Sequence, residues 1–363
     1  MTDDGMIHRF CSPAAVAGGT AFMLGVFGVL TIASSRSGVA VPDPLLLKQV
    51  FFLFCGLSLM LLSATVPFRF YRKHVRLLGG AGAAALLILP WCGVRINGMC
   101  GWFRVGALSL QPSELMKAPF LLALAVLLAG RDRSEFRRFA LAGAWTLLWL
   151  IPVAMQPDFG TAAIYLGVFM LLYFVASGNL SYLLIPALGG LLSAALFAWR
   201  HPYAWRRLQG FIHPEGDPLG SGWHARQFEL AVARGHYFGA KLGGAVWSNN
   251  YLPFSYNDSA FATLLETLGL AGGLLTAALV GVMAAALLRL AFRTERATER
   301  IFMIGAVLLL LFQSLIHISV NLCLIPTTGL TMPFVSYGGS SLIGCFILTG
   351  MALSAGRESG GDD

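Results

Sequence analysis

The chain has 363 residues, 57% of them hydrophobic and 12% charged, with a formal net charge of +8 and a mean hydropathy of +0.73. A soluble globular chain carries about 25% charged residues, so this composition excludes one and points to a polytopic membrane protein. The basic residues sit in short stretches between apolar runs, which makes them topology signals and excludes a nucleic-acid patch.

A helix needs about 20 apolar residues to cross the hydrocarbon core. Runs of that kind predict about ten membrane helices, at 14–34, 47–66, 77–92, 112–129, 139–155, 160–177, 181–199, 260–291, 301–323 and 339–356. The expected fold class is therefore all-α, a polytopic helix bundle in a single membrane domain over 1–363, with one long outer loop at roughly 200–259. The first stretch, MTDDGMIHRFCSP, is polar and acidic, and the apolar run after it is long enough to stay as an anchor, so no cleavable leader is expected. With the N-terminus inside, the inner loops hold Arg69, Arg72, Lys73, Arg76, Arg131, Arg133, Arg137, Arg138, Arg293, Arg296 and Arg300. The short outer loops hold only Arg36, Lys48, Arg95 and Arg104. This bias puts both termini in the cytoplasm. The cysteines are scattered without CxxC spacing. Cys92 and Cys100 flank one outer loop, where unpaired thiols are expected over a bridge.

In chain order, the first candidate pair is Glu114 and Lys117 in QPSELMKAPF. Three residues apart on a helix, they share a face and can pair. Such a pair must look into protein or water rather than lipid: either Lys117 holds a phosphate with Glu114 positioning it, or the pair locks the bundle. Asp158 stands between two apolar runs in QPDFG, where a helix N-cap is expected. The loop 200–259 is itself basic, with Arg200, Arg206, Arg207, Arg226, Arg234 and Lys241, and an anionic ligand outside the membrane accounts for that. Arginine's planar fork suits a diphosphate, and snorkelling to lipid headgroups is the alternative for each one. Within the loop, 222–236 predicts an amphipathic helix at the interface.

Asp258, in YLPFSYNDSAF, stands where that polar loop runs back into an apolar helix. It is read either as the N-cap of that helix or as a general base at the outer membrane face, and the two readings are compatible. Glu266, two turns further on, is a lone acid inside an apolar run, either functional or bonded to neighbouring backbone. The segment 317–343, HISVNLCLIPTTGLTMPFVSYGGSSLI, breaks an apolar stretch with prolines and glycines. Non-helical backbone at that depth survives only in protein or beside a cavity, which predicts a re-entrant loop next to the active cavity. No GxxxxGK[ST], HExxH or GxSxG pattern is present.

Three blocks carry a family resemblance: SLQPSELMK at 109–117, YLPFSYNDSAF at 251–261 and PTTGLTMPFVSYGGSSL at 326–342. They resemble the QPSE-x-x-K, LPE-x-x-TDFIF and P-x-TG-x-x-x-PFxSYGGSS motifs of the SEDS family (shape, elongation, division and sporulation proteins), whose branches are FtsW, RodA and SpoVE. SLQPSELMKAPF is nearer the FtsW pattern than that of RodA. The resemblance implies a peptidoglycan glycosyltransferase of the bacterial cytoplasmic membrane that polymerises lipid II at the outer face, with a class B penicillin-binding protein as transpeptidase partner. It makes Asp258 the catalytic residue and a possible metal ligand. Substrate contacts fall to Lys117, Glu114, Arg207, Gln227, Ser336 and Ser340, and a divalent cation (Mg or Mn) is a candidate cofactor. The chain departs from the pattern at Phe254, at Tyr256-Asn257, at Gly101 in the place of an arginine, and at Ala204. A lipid-linked precursor flippase and a scaffold that has lost catalysis are the rival readings.

Overall fold

The computed structural model describes residues 12–358, apart from 37–42, 97–98, 107, 131, 201, 218–219, 221 and 253. Among the described residues nine helices are long and apolar enough to cross a membrane. They are α1 (Pro13–Ser35), α2 (Pro44–Thr65), α4 (Val75–Cys92), α7 (Glu135–Met155), α8 (Phe159–Ser177), α9 (Leu184–Arg200), α13 (Ala260–Arg293), α14 (Ala297–Asn321) and α15 (Gly339–Arg357). The tenth expected helix is split. A four-residue turn of helix, α5 (Pro112–Leu115), and a shorter apolar helix, α6 (Lys117–Ala129), meet at Met116. The chain is a multi-pass membrane helix bundle, as its hydropathy predicts.

The core is made by α6, α8, α13, α14 and α15, whose buried faces converge on Trp149, Tyr165, Phe120, Phe302 and Phe346. Helices α2, α4, α7 and α9 keep large apolar side chains such as Phe54, Leu77, Ile151 and Leu191 exposed, as lipid-facing surfaces require. A short α3 (Phe68–Lys73) is tied to α14 by Arg72 and the fully buried Glu299, 3.4 Å apart.

Three features depart from a plain bundle. First, residues 94–110 form a small antiparallel sheet, β1 (Val94–Ile96), β2 (Met99–Val105) and β3 (Leu108–Leu110), in that order. Its side chains alternate too briefly for sequence periodicity to reveal it. Cys92 and Cys100 at its edge are free thiols, and Cys100 donates to the carbonyl of Leu89.

Second, the expected outer loop is mostly helical: α10 (Pro202–Ile212), α11 (Trp223–Gly235) and the single turn α12 (Val246–Asn250). Helix α11 matches the predicted amphipathic segment and buries Gln227, Phe228, Ala231 and Gly235.

Third, α13 is broken at Gly269, with φ 69° and ψ −170°. A Cβ there would come within 2.5 Å of backbone atoms of Phe238 and Gly239. The chain at 236–240 docks into the break, with Leu270 N donating to His236 O, Ala271 N to Tyr237 O and Ala240 N to Glu266 O. Only glycine occupies this part of φ/ψ space without strain.

Candidate active site

Asp258 lies in a run of turns just ahead of α13, half-buried. The cap reading of this residue does not hold. Ser259 is the N-cap of α13 and makes no side-chain cap bond, and among the described residues the Asp258 carboxylate accepts no hydrogen bond. Two walls set its place. Residues 254–257 fold back on the segment 336–337, with Tyr337 N donating to Tyr256 O at 2.7 Å. The irregular stretch between α14 and α15 passes on the other side, where a Cβ on Gly329, itself at φ 76°, would lie 3.9 Å from Asp258 Oδ2.

That stretch, 322–338, is the middle of the segment 317–343 predicted to be non-helical; 317–321 and 339–343 instead belong to α14 and α15. It is buried through Leu330, Met332, Phe334 and Val335, and polar side chains of α14 pair its backbone. Gln313 donates to Thr331 O at 2.8 Å and His317 Nδ1 to Leu330 O at 2.7 Å. Backbone at that depth needs such partners.

Electrostatics distinguish Asp258. Desolvation pushes its carboxyl up to about 6, with Asp158 adding to the rise and Arg207 opposing it. Arg207, on α10, donates to the carbonyl of Thr327 at 3.1 Å, so it bridges α10 and the irregular stretch. Beside it a cavity of ≈ 340 Å³ opens between α10, the start of α11 and the end of α14. Arg206, Arg207, His224, Phe211 and Phe228 line it. Desolvation, and then the Arg207 charge, hold His224 below its ordinary value. The positive charge of this cavity therefore comes from the arginines.

Asp158 is the expected N-cap. Its Oδ1 accepts from Thr161 N at 3.1 Å, and its Oδ2 accepts from Gln111 Nε2 at 3.2 Å. Burial pushes it up to about 6 as well, and Glu114 contributes to the rise.

Of the other predicted residues only Ser336 is tied, among the described residues, to the Asp258 turn, through the backbone of Asn257. Lys117 is sealed inside the bundle, its ammonium 2.7 Å from Glu114 Oε1 and 2.8 Å from Gln313 Oε1. This geometry is that of the locking pair, and Lys117 is absent from the walls of the arginine-lined cavity. Ser336 accepts from Met332 N and donates to Asn257 O. Ser340 accepts from Gln111 N at 2.8 Å. Both hydroxyls are spent on backbone. Gln227 is buried under α11, and its Oε1 has no hydrogen-bond partner among the described residues. Glu266 is a structural anchor: it accepts from Trp247 N, Ser248 N and Ser248 Oγ, and so caps α12. Sequence reading missed Asn321, which is fully buried and bonded to both sides of the Asp258 turn.

A resident divalent cation needs several converging oxygen or nitrogen ligands. Among the described residues no group of three or more His, Cys, Asp or Glu side chains comes together, and both Asp158 oxygens are already hydrogen-bonded. The side chains beside Asp258 form no all-protein cage for an ion; a cation carried on substrate phosphates would need only a carboxylate such as that of Asp258.

Residues 15–360 match the cell cycle protein family of FtsW, RodA and SpoVE. The chain is similar to a probable peptidoglycan glycosyltransferase FtsW of Pseudomonas fluorescens, 31% identical over 92% of this chain and 85% of that protein. It is 34% identical to the FtsW of Nitrosococcus halophilus named in the same way, over 91% and 87%. Stage V sporulation protein E of Bacillus subtilis is 34% identical over 76% of each chain. Among solved structures, a chain of a peptidoglycan synthase complex that coordinates polymerization and crosslinking superposes with a TM-score of 0.79 at 30% identity, covering 95% of this chain and 98% of that one. Thermus thermophilus rod shape determining protein RodA gives 0.73 at 28%, covering 95% and 97%. With its helices, its broken α13 and its three sequence blocks all falling inside the matched region, this chain belongs to the FtsW/RodA/SpoVE family of cell cycle proteins.

Proposed function

We propose that this chain is a peptidoglycan glycosyltransferase that polymerises lipid II into glycan strands by inverting transfer at the outer face of the bacterial cytoplasmic membrane. The glycosyl-transfer activity is the one its FtsW relatives are named for. The observation that carries the finer reading is Asp258, a half-buried carboxylate at the outer end of a membrane helix. It accepts no hydrogen bond among the described residues, and desolvation pushes it up to about 6. A base poised near the working pH is what proton abstraction from a sugar alcohol needs.

The 4-hydroxyl of the acceptor sugar attacks the anomeric carbon of the donor. Its proton passes to an Asp258 oxygen as the new C–O bond forms. The bond from the anomeric carbon to the diphosphate oxygen breaks, and undecaprenyl diphosphate leaves with the electron pair. One displacement turns an α-linked donor into a β-linked product, and cleavage of the activated donor supplies the energy. Arg207 and Arg206, on the cavity next to Asp258, are suited to the charge that grows on the leaving diphosphate. Lys117, Glu114, Gln227, Ser336 and Ser340 shape this ground from behind.

Both termini lie in the cytoplasm in this reading, with Asp258 and the arginine cavity outside. A class B penicillin-binding protein is the partner, supported by the likeness to a complex that joins polymerization to crosslinking. The work belongs to cell division or elongation.

The purified full chain with its partner should turn lipid II into glycan in detergent, where no second leaflet exists. Asp258→Ala should lower the rate at least 100-fold with an unchanged thermal melt. Normal polymerisation by that variant overturns the base assignment. Lipid movement across vesicles with no polymer from either form replaces the enzyme by a flippase.

A further inference from the structure

We infer that Asn321 is the positioning residue for Asp258: from the end of α14 it caps α13 in trans and fixes the backbone of the Asp258 turn. The inference rests on Asp258 being the base and adds the group that holds it.

A helix leaves its first N–H groups without intrahelical partners, and an N-cap side chain supplies an acceptor to the second or third of them. Helix α13 begins at Ala260, and its own cap residue, Ser259, makes no such bond. Asn321 makes it instead. Its Oδ1 accepts from Ala262 N, the third N–H of the helix, at 3.0 Å. Its Nδ2 donates to the carbonyl of Asp258 itself at 3.0 Å, and to His317 O at 2.9 Å. One carboxamide therefore grips the chain on both sides of the cap, while staying fully buried.

The same face of α14 sets the opposite wall. Gln313, His317 and Asn321 are spaced i, i+4, i+8 and lie on one stripe. Gln313 and His317 hold the carbonyls of Thr331 and Leu330, just beyond Gly329, the residue whose backbone faces Asp258 Oδ2. Helix α14 thus fixes the turn that carries the carboxylate and the strip of backbone across from it. The gap between them is set by one rigid helix rather than by two loops. Displacing a reacting group by about 1 Å can lower a rate on the order of 100-fold.

The test uses the full chain with its partner and lipid II. Asn321→Leu has nearly the same shape and removes both donor and acceptor. Asn321→Asp keeps the acceptor for Ala262 and loses the donor for Asp258. Thr276→Val, on α13 and remote from the turn, removes one buried hydroxyl bond to Gly272 O and serves as the control for lost stability. Asn321→Leu should lower kcat about 100-fold with KM nearly unchanged, and should speed amide exchange at Ala262. Asn321→Asp should keep that amide protected and still lose roughly tenfold in kcat, the worth of one hydrogen bond. Asn321→Ser, too short to reach either partner, takes the place of Asn321→Leu if the latter does not fold. Wild-type kcat in Asn321→Leu, unchanged protection at Ala262, or a loss no greater than that of Thr276→Val overturns the inference. Because the exchange measurement reads the cap without turnover, a failure here is separable from a failure of the base assignment, which shows as an active Asp258→Ala.

Discussion

Two acidic centres in this molecule invite comparison, the one around Glu114 and the one around Asp258. Glu114 shares the middle of the bundle with Lys117 and Gln313, and the three side chains close on one another at 2.7 Å and 2.8 Å. Asp258 sits at the end of the bundle with a carboxylate that takes no hydrogen bond among the described residues, an arginine-lined cavity nearby and a glycine backbone across from it. Both centres combine an acid and a base in a low-dielectric setting. In the first the charges pair through Glu114 Oε1, Oε2 having no hydrogen-bond partner among the described residues, and the pair holds helices together. In the second the acid is held through its backbone by Asn321, and its side chain takes no hydrogen bond among the described residues. Chemistry here follows from which half of the residue the fold uses.

If that contrast is right, breaking the closed centre should damage the fold first. Lys117→Met strands Glu114 as an uncompensated buried charge and should lower stability by about 3–5 kcal/mol, read as a large drop in the thermal melt in detergent. Adding Glu114→Gln should recover much of it. A Lys117→Met protein that melts normally and loses lipid II affinity would instead put Lys117 in the ligand site.

Gly269→Ala comes next, at about 1–3 kcal/mol for a residue forced into a glycine-only conformation. The clash with the 236–240 backbone adds to this. Limited proteolysis of the segment between α11 and α12 should increase with it.

The open centre should show itself through pH. Asp258 is pushed up to about 6, and only its ionised form takes a proton. Activity should therefore hold above pH 6 and fall about tenfold for each unit below it, whereas the same raised value makes this group's contribution to stability grow as pH falls through 6, so the thermal melt should not follow the loss. Asp158→Asn gives the smallest effect. It keeps a capping side chain for α8 and removes the charge that helps to raise Asp258, so the acid limb should slide down by a fraction of a unit.

Much of this was legible beforehand, because it follows from solvent. Every expected apolar run corresponds to a helix, and the glycine- and proline-rich stretch after α14 is the buried irregular backbone that its composition predicts. The Asp158 cap was readable because its partner, Thr161, is three residues away. What escaped reading depends on distant partners. Glu266 was legible as an acid either functional or bonded to backbone, and the second reading holds, but its partners Trp247 and Ser248 lie in a turn that no periodicity announces. Asn321 was one polar residue in an apolar string, and only the fold brings Ala262 and Asp258 to it. The break in α13 was hidden because the glycine at 269 reads as one of several tolerated in membrane helices, and only the docking of 236–240 makes it obligatory.

That break has a bearing on how the enzyme meets its bilayer. From Leu270 to Arg293 the longer part of α13 is about 36 Å long at 1.5 Å per residue, already enough for a hydrocarbon layer of about 30 Å. The piece from Ala260 to Leu268 is thereby released from spanning duty and goes with the 236–240 segment docked against it. Swelling or thinning of the surrounding lipid can tilt the long rod, with the glycine joint standing between that motion and the Asp258 turn.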